Sequence, residues 1–437
     1  MTLNAPSAVP ADVPDECTRA PSSASASTPS SVLSDAAPSV SAGTPSTGRL
    51  VGIDLARGLA VFGMYAAHVG PDPAVGGPVG FLLETARGRC SALFALLAGF
   101  SLVIITGRPH PRTGRAGRQA VARIVIRAVV LAVLGYALTA LDTDVAVILS
   151  FYGLLFLAVL PLYRLRAGTL ALIAAAGALV MPQLLYVIRG SIEQGSWADA
   201  VIARDPLAHL TGTDGFVELL FTGEYPVLTW MPFVVAGMAV ARLDLTRPGV
   251  RSRLALVGGG LVVLGYGGSW LALRLVPHAL STVAAATDGG SASSAWWSDT
   301  VGDPVAHTPP AWLLVAAPHS QTTFSVLGNT GVALAAVAGC LTVAERMPRL
   351  TAVARPVAAV GTMALTAYVL HIVALWLLTD VWRVPAIEDE SLNGGLPVLL
   401  GFIGTATVLA VVWTRLFRRG PLEYLLHNAT RPARRLR

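Results

Sequence analysis

From Arg49 onward, apolar runs of bilayer length follow one another with short breaks, and no other feature constrains the fold as tightly. The runs cover 51–69, 90–106, 124–141, 145–163, 168–188, 226–242, 253–276, 323–344, 355–379 and 395–416. Most reach the roughly 17–25 residues that a spanning helix needs. Lipid offers no water to a backbone N–H or C=O, so runs of this kind resolve as helices. The expectation is an all-α polytopic membrane protein, a bundle of ten transmembrane helices. A short stretch at 311–317 either makes an eleventh or lies in the interface. Pro161, Pro182 and Pro232 fall inside runs or near their ends and are expected to kink them.

Orientation follows from the arginines. One set of connections holds Arg108, Arg112, Arg115, Arg118, Arg123 and Arg127, then Arg164 and Arg166, then Arg242, Arg247, Arg251 and Arg253, then Arg346, Arg349 and Arg355. The alternate connections carry acids, among them Asp142 and Asp144, Glu193 to Glu224, Asp288 to Asp303, and Asp380 to Glu390. The alternation puts both termini in the cytoplasm and sends the first helix from inside to outside.

Composition agrees with a membrane protein: 54% of residues are hydrophobic, 13% are charged, and mean hydropathy is +0.64. All 31 basic residues are arginine, which removes lysine Schiff-base chemistry. The basic pI near 9.6 raises nucleic acid as a partner. The clusters sit between apolar runs, however, so they read as topology signals, and no nucleic-acid partner is expected. Cys17, Cys90 and Cys340 lack metal-ligand spacing, and the topology separates them, so neither a metal nor a disulfide is expected.

Three further segments complete the organisation. Residues 1–48 are dominated by Ser, Pro, Ala, Thr and Asp and contain no aromatic, so they are expected to form a disordered cytoplasmic tail. Residues 49–420 form the membrane domain, with outer segments at 189–225 and 277–322. Residues 421–437 form a basic cytoplasmic tail.

The first run holds the chemistry. Asp54-Leu-Ala-Arg57-Gly58 is followed, eleven residues after Arg57, by His68. Eleven residues are close to three helical turns, so Arg57 and His68 share a face and lie about 16 Å apart along the axis. Ionisable groups inside a bilayer are costly and mark functional sites by default.

This spacing resembles the first-helix signature of the acyltransferase-3 family. More of the chain resembles the heparan-α-glucosaminide N-acetyltransferase catalytic-domain family and its bacterial YeiB-like relatives. The carriers are Gly88-Arg-Cys-Ser-Ala-Leu-Phe-Ala-Leu-Leu-Ala-Gly99, Tyr225-Pro-Val-Leu-Thr-Trp230-Met-Pro-Phe-Val-Val-Ala-Gly237, Leu327-Gly-Asn329-Thr-Gly-Val-Ala-Leu334 and Gly361-Thr-Met-Ala-Leu-Thr-Ala-Tyr368-Val-Leu-His371. Together they cover roughly 49–420. The resemblance implies a multi-helix enzyme of a bacterial plasma membrane. It would take an acyl group, acetyl first among them, from cytoplasmic acyl-CoA and pass it to a hydroxyl or amine of an extracytoplasmic, carbohydrate-like acceptor.

On this reading His68 acts as general base, since imidazole titrates near neutral pH, or carries the acyl group transiently. The bland alternative is an interfacial histidine with a satisfied hydrogen bond. Arg57 either pairs with Asp54 one turn earlier, fixing the helix, or faces the donor's phosphates or thioester carbonyl. Tyr368 and His371 share a face of the ninth helix on the same side of the membrane as His68, as a second acid–base group or as a packed polar pair. Arg123 and Arg127 share another face and are candidates for donor phosphates, against the plainer role of contacting anionic lipid. Asn329 and Trp230 are the candidates for acceptor binding.

Two functions from other classes compete with acyl transfer. A secondary transporter fits the helix number, although no repeat relates the halves. A non-catalytic sensor or scaffold has only the N-terminal segment in its favour.

Overall fold

The computed structural model describes residues 51–436 except 144, 196, 288–290, 306 and 388. The expected N-terminal tail with Cys17, and the outer acids Asp144, Asp288 and Glu388, lie outside the described residues. Among the described residues the chain is helical, and the only pairing of extended backbone is an isolated bridge between Thr287 and Pro304.

The helices are α1 (Val51–Val69), α2 (Gly77–Ala86), α3 (Arg89–Thr106), α4 (Gly114–Thr139), α5 (Ile148–Val159) and α6 (Ala167–Gln194). Then come the short α7 (Trp197–Ile202) and α8 (Pro206–Thr211), followed by α9 (Val227–Ala241), α10 (Pro248–Val262), α11 (Gly268–Leu275) and α12 (Ala279–Ala286). The last five are α13 (Thr323–Arg346), α14 (Pro348–Thr362), α15 (Ala364–Trp376), α16 (Leu392–Leu416) and α17 (Pro421–Ala429).

Seven helical stretches among the described residues are long and apolar enough to cross a membrane: 77–106, 114–139, 167–194, 248–275, 323–346, 364–381 and 392–416. Two more, 148–164 and 227–241, are apolar but shorter. The chain is a multi-pass, all-α membrane protein. Outward faces carry large apolar side chains, such as Val129 and Val133 on α4, Leu172 and Val180 on α6, and Leu400 and Val412 on α16, as lipid contact requires. The stretch 311–317 is not a span. It forms a 3₁₀ turn over Pro310–Leu314, and Trp312, Val315 and Ala317 pack with Val283, Ala295 and Val301 in a cluster of their own beside α11 and α12.

The run expected at 355–379 is also corrected. It is two helices, α14 and α15, broken at Met363, where the backbone leaves helical geometry (φ −118°, ψ 28°). Tertiary contacts stabilise that break, and no proline marks it in the sequence.

α1 is the centre of the bundle. α3, α13, α14, α15 and α16 all pack on it, and Ala56, Ala60 and Val61 have no exposed surface. Asp54 near its start and His68 near its end both suit the helix dipole. Its crossing with α14 is made by glycines. A Cβ at Gly361 would lie 1.8 Å from the Asp54 carbonyl oxygen, and one at Gly58 would lie 2.1 Å from that of Val357. Only the absence of side chains lets the two backbones touch there.

Candidate active site

Side-by-side packing of α1 and α15 places two histidines together. The Tyr65 hydroxyl donates to the Ala367 carbonyl at 2.9 Å. One turn further along each helix, His68 Nδ1 lies 2.9 Å from His371 Nε2. The ring planes differ by 14° and the centroids are 5.2 Å apart, so the imidazoles meet edge to edge within a hydrogen bond. His371 is buried, with the Tyr65 ring on one side and the Tyr368 ring nearly perpendicular on another, at 4.9 and 5.2 Å. Tyr368 is anchored in turn, its hydroxyl accepting from the Ile148 N–H. A nitrogen-to-nitrogen hydrogen bond needs one proton between its two atoms, so one ring donates and the other accepts. The pair can therefore pass a proton, and it cannot hold two imidazolium ions comfortably.

A cavity of about 520 Å³ opens at the end of the bundle where α17 lies. Four guanidiniums line it, those of Arg57, Arg127, Arg418 and Arg419, against the two carboxylates of Asp54 and Glu423. Arg57 is held by Asp54 at 3.1 Å and donates to the Ser101 hydroxyl at 2.9 Å. Buried polar atoms without a protein hydrogen-bond partner, Arg127 Nε and the Tyr152 hydroxyl oxygen, belong to residues lining the same space. The lining also includes Tyr152 and Tyr368, and Tyr368 lies one helical turn from His371 in sequence. A clustered positive lining with spare donors suits a ligand that carries several phosphates.

Glu423 shapes this cavity by closing the helix break. Its carboxylate accepts from the Leu365 and Thr366 N–H groups at 2.8 and 3.1 Å and from the Thr366 hydroxyl at 2.5 Å. The first N–H groups of α15 would otherwise be unsatisfied. The same Thr366 oxygen accepts from the Leu422 N–H at the start of α17. Each helix thus caps the other, and a carboxylate is the group that two positive helix ends favour.

A second cavity, about 540 Å³ and almost wholly apolar, lies between α15 and α16 and is lined by Tyr65, Leu370, His371 and Phe402 among others. Tyr368 and His371 therefore serve different spaces. Arg57 lines the arginine-rich cavity and His371 the apolar one.

Residues 49–261 match the family model described as heparan-alpha-glucosaminide N-acetyltransferase, catalytic. Residues 294–433 match the family described as protein of unknown function DUF418. The two matches follow each other along most of the chain. Over these two stretches the chain is similar to the heparan-α-glucosaminide N-acetyltransferase catalytic family and to the DUF418 family. No curated protein matches the chain at a significant level.

The candidate site draws on both matched regions. Asp54, Arg57, His68 and Arg127 lie in the first; Tyr368, His371, Arg418, Arg419 and Glu423 lie in the second. Of the residues singled out in the sequence, the structure brings His68, His371 and Tyr368 together, and separately Asp54, Arg57 and Arg127. Arg123 does not line the arginine cavity. Asn329 is a polar strut instead, accepting from the Tyr266 hydroxyl at 2.7 Å and donating to Ser325. Trp230 is buried among the rings of Tyr225, Phe233 and His319.

Sequence reasoning passed over Ser101, Tyr152, Arg418, Arg419 and Glu423. A signal for Glu423 was present: it is the lone acid in a basic stretch, three residues after Gly420 and just past Pro421, the pattern of a helix first turn.

Proposed function

We propose that the protein moves an acetyl group from acetyl-CoA, bound at the arginine-rich end of the bundle, to a hydroxyl or amine of a carbohydrate-like acceptor arriving from the opposite membrane face. The observation that carries this reading is the arginine-lined cavity whose lining includes Tyr368, a turn away from the His68–His371 pair. Coenzyme A presents a pyrophosphate and a further phosphate, which match four convergent guanidiniums better than a neutral solute would. The volume lies within the usual range for ligand sites. The arginine-rich end is the cytoplasmic one on the charge alternation, which puts both termini inside and fits a bacterial plasma membrane.

In this reading Arg57, Arg127, Arg418 and Arg419 hold the donor's phosphates, and the pantetheine arm runs toward Tyr368. The acceptor's X–H attacks the thioester carbonyl; the X–C bond forms and the C–S bond breaks. His68 takes the proton from X, while His371 fixes the tautomer of His68 through the 2.9 Å hydrogen bond. The thiolate of coenzyme A leaves toward the arginine-rich side and is protonated from solvent there.

The test uses the full chain in oriented vesicles. Acetyl-labelled acetyl-CoA is supplied on the arginine-rich side, with membrane-impermeant glucosamine on the other. Labelled N-acetyl product on the glucosamine side is expected, with one coenzyme A thiol released per product. Glucosamine crossing the membrane without acetyl-CoA would make the protein a transporter instead. Trapping of an acetylated His68 by rapid quench would replace direct transfer with a two-step route.

A further inference from the structure

The structure holds a second acid–base pair that the transfer step leaves unused. His319 Nδ1 lies 2.7 Å from Glu224 Oε1, and His319 is close enough to His68 for their charges to interact. His319 comes from the turn that follows the outer cluster, and Glu224 from the segment entering α9.

Several features fix this geometry. His319 and Gln321 both adopt left-handed backbone (φ 58° each), which non-glycine residues take up only when the surroundings enforce it. Gln321 supplies that enforcement: its amide donates to the Glu224 carbonyl oxygen at 2.9 Å, and its side-chain oxygen accepts from Thr229 at 2.6 Å. Tyr225 and Trp230 pack their rings against the imidazole, at 5.4 and 5.9 Å. Gly88 closes the remaining side, where a Cβ would lie 3.3 Å from His319 Cδ2.

Beyond His319 lies a cavity of about 70 Å³, lined by Arg189, Asp303 and Gln321 among others. Its lining mixes these polar groups with apolar ones such as Leu185 and Trp312, and it is large enough for ordered water. Glu224 itself reaches solvent, with 46% of its side chain exposed against 22% for His319.

We propose that the Glu224–His319 pair is the proton outlet of the transfer reaction. This rests on the acyl-transfer reading above. The proton taken from the acceptor by His68 passes to His319, where Glu224 stabilises the imidazolium, and leaves by way of water in the cavity beside Arg189 and Asp303 to the acceptor side. His68 is then neutral again. Acetyl-CoA and H–X become acetyl–X, a coenzyme A thiolate on one side and a proton on the other, so atoms and charge balance. His319 and Glu224 act through His68 and are positioning and relay residues.

Electrostatics around the pair fit this role. Burial alone would lower the affinity of His319 for a proton, but the close carboxylate of Glu224, with Asp303 behind, raises its pKa above the ordinary imidazole value. Burial would raise the Glu224 carboxyl, yet His319 and Arg189 hold it below the usual range. The charged or titratable groups facing His319 are thus Glu224 and Tyr225 before α9, Asp303 in the outer segment and His68 on α1; Arg189 on α6 bears on Glu224.

The test measures coenzyme A thiol release from pH 5 to 9 in vesicles carrying the full chain, with acetyl-CoA on the arginine-rich side and glucosamine on the other. Glu224→Gln keeps an acceptor oxygen and removes the charge. It is expected to lower kcat about 10-fold and to move the acid limb of the profile to lower pH, because His319 becomes a weaker base. His319→Gln is expected to abolish that limb; His319→Asn tolerates the left-handed backbone better and serves if the first variant misfolds. The KM for acetyl-CoA should stay within about twofold in each, since both residues lie outside the arginine cavity. Variants that keep the wild-type pH profile would overturn the outlet alone. A wild-type protein that releases no thiol would overturn the acyl-transfer reading, and the outlet with it.

Discussion

His68 Nδ1 and His371 Nε2 are 303 positions apart in the chain and 2.9 Å apart in space. Their hydrogen bond joins the parallel helices α1 and α15 where the Tyr65, Tyr368 and His371 rings converge. One imidazole cannot be altered without changing the proton held by the other. His68→Ala and His371→Ala are each expected to lower kcat by about 10²- to 10⁴-fold while acetyl-CoA binding persists. The double variant should be little worse than either single one, because the residues act as a unit. Thiol release and equilibrium dialysis on the three variants check this.

Donor affinity should depend on the arginines that line the cavity and not on their neighbours. Removing one charge-assisted hydrogen bond costs about 1.5–3 kcal/mol, or roughly 10- to 100-fold in Kd. Arg127→Gln and Arg418→Gln are expected to show this loss, and Arg123→Gln is expected to bind like the wild type. Arg57→Gln separates two roles of its side chain: unchanged affinity in a stable protein would leave only the Asp54 pair.

The reciprocal cap between α15 and α17 predicts a stability effect. Glu423→Ala leaves the Leu365 and Thr366 N–H groups without their acceptor. A cost of about 1–3 kcal/mol is expected. It should appear as a lower Tm in detergent, with Thr366→Val showing a loss of the same order.

The α1–α14 crossing should tolerate no side chain at its tightest point. Gly361→Ala puts a methyl 1.8 Å from the Asp54 carbonyl oxygen, and relieving the clash moves both helices. Overpacking of this kind costs about 1–3 kcal/mol. The shift also displaces Asp54 and Arg57, so weaker acetyl-CoA binding should accompany the lower Tm.

The Glu224–His319 pair predicts a window of pH-dependent stability. The His319 pKa is raised by folding, so its contribution is fully present below the ordinary value of 6.5 and is lost as pH climbs through the raised one. Glu224 is lowered, so its contribution is present above 4.5 and is lost as pH falls through the lowered value. Their joint contribution should be greatest between those ordinary values. Glu224→Gln should therefore lower Tm most near pH 5.5 and progressively less above neutrality.

Local patterns carried much of this into the sequence. Run length and apolarity reflect the need to satisfy every backbone group inside lipid, and they were legible without any contact. The Asp54–Arg57 pair and the shared face of Arg57 and His68 follow from helical spacing alone. Even the meeting of His68 with His371 was within reach, because alternation of charge put both on one side of the membrane.

What the sequence by itself determined was the membrane class, the alternation of charge and the chemistry displayed on α1. Tertiary structure alone decided which polar groups share a space. The break at Met363 depends on Glu423, sixty residues downstream, arriving to satisfy the start of α15. Arg418 and Arg419 read as one more basic cluster until the chain folds back and turns them into a cavity wall. Glu224 and His319 meet where Gln321 ties their segments together. Periodicity records which way a side chain points from its own helix; it cannot record which other segment supplies the partner, since that is fixed by packing between elements far apart in the chain.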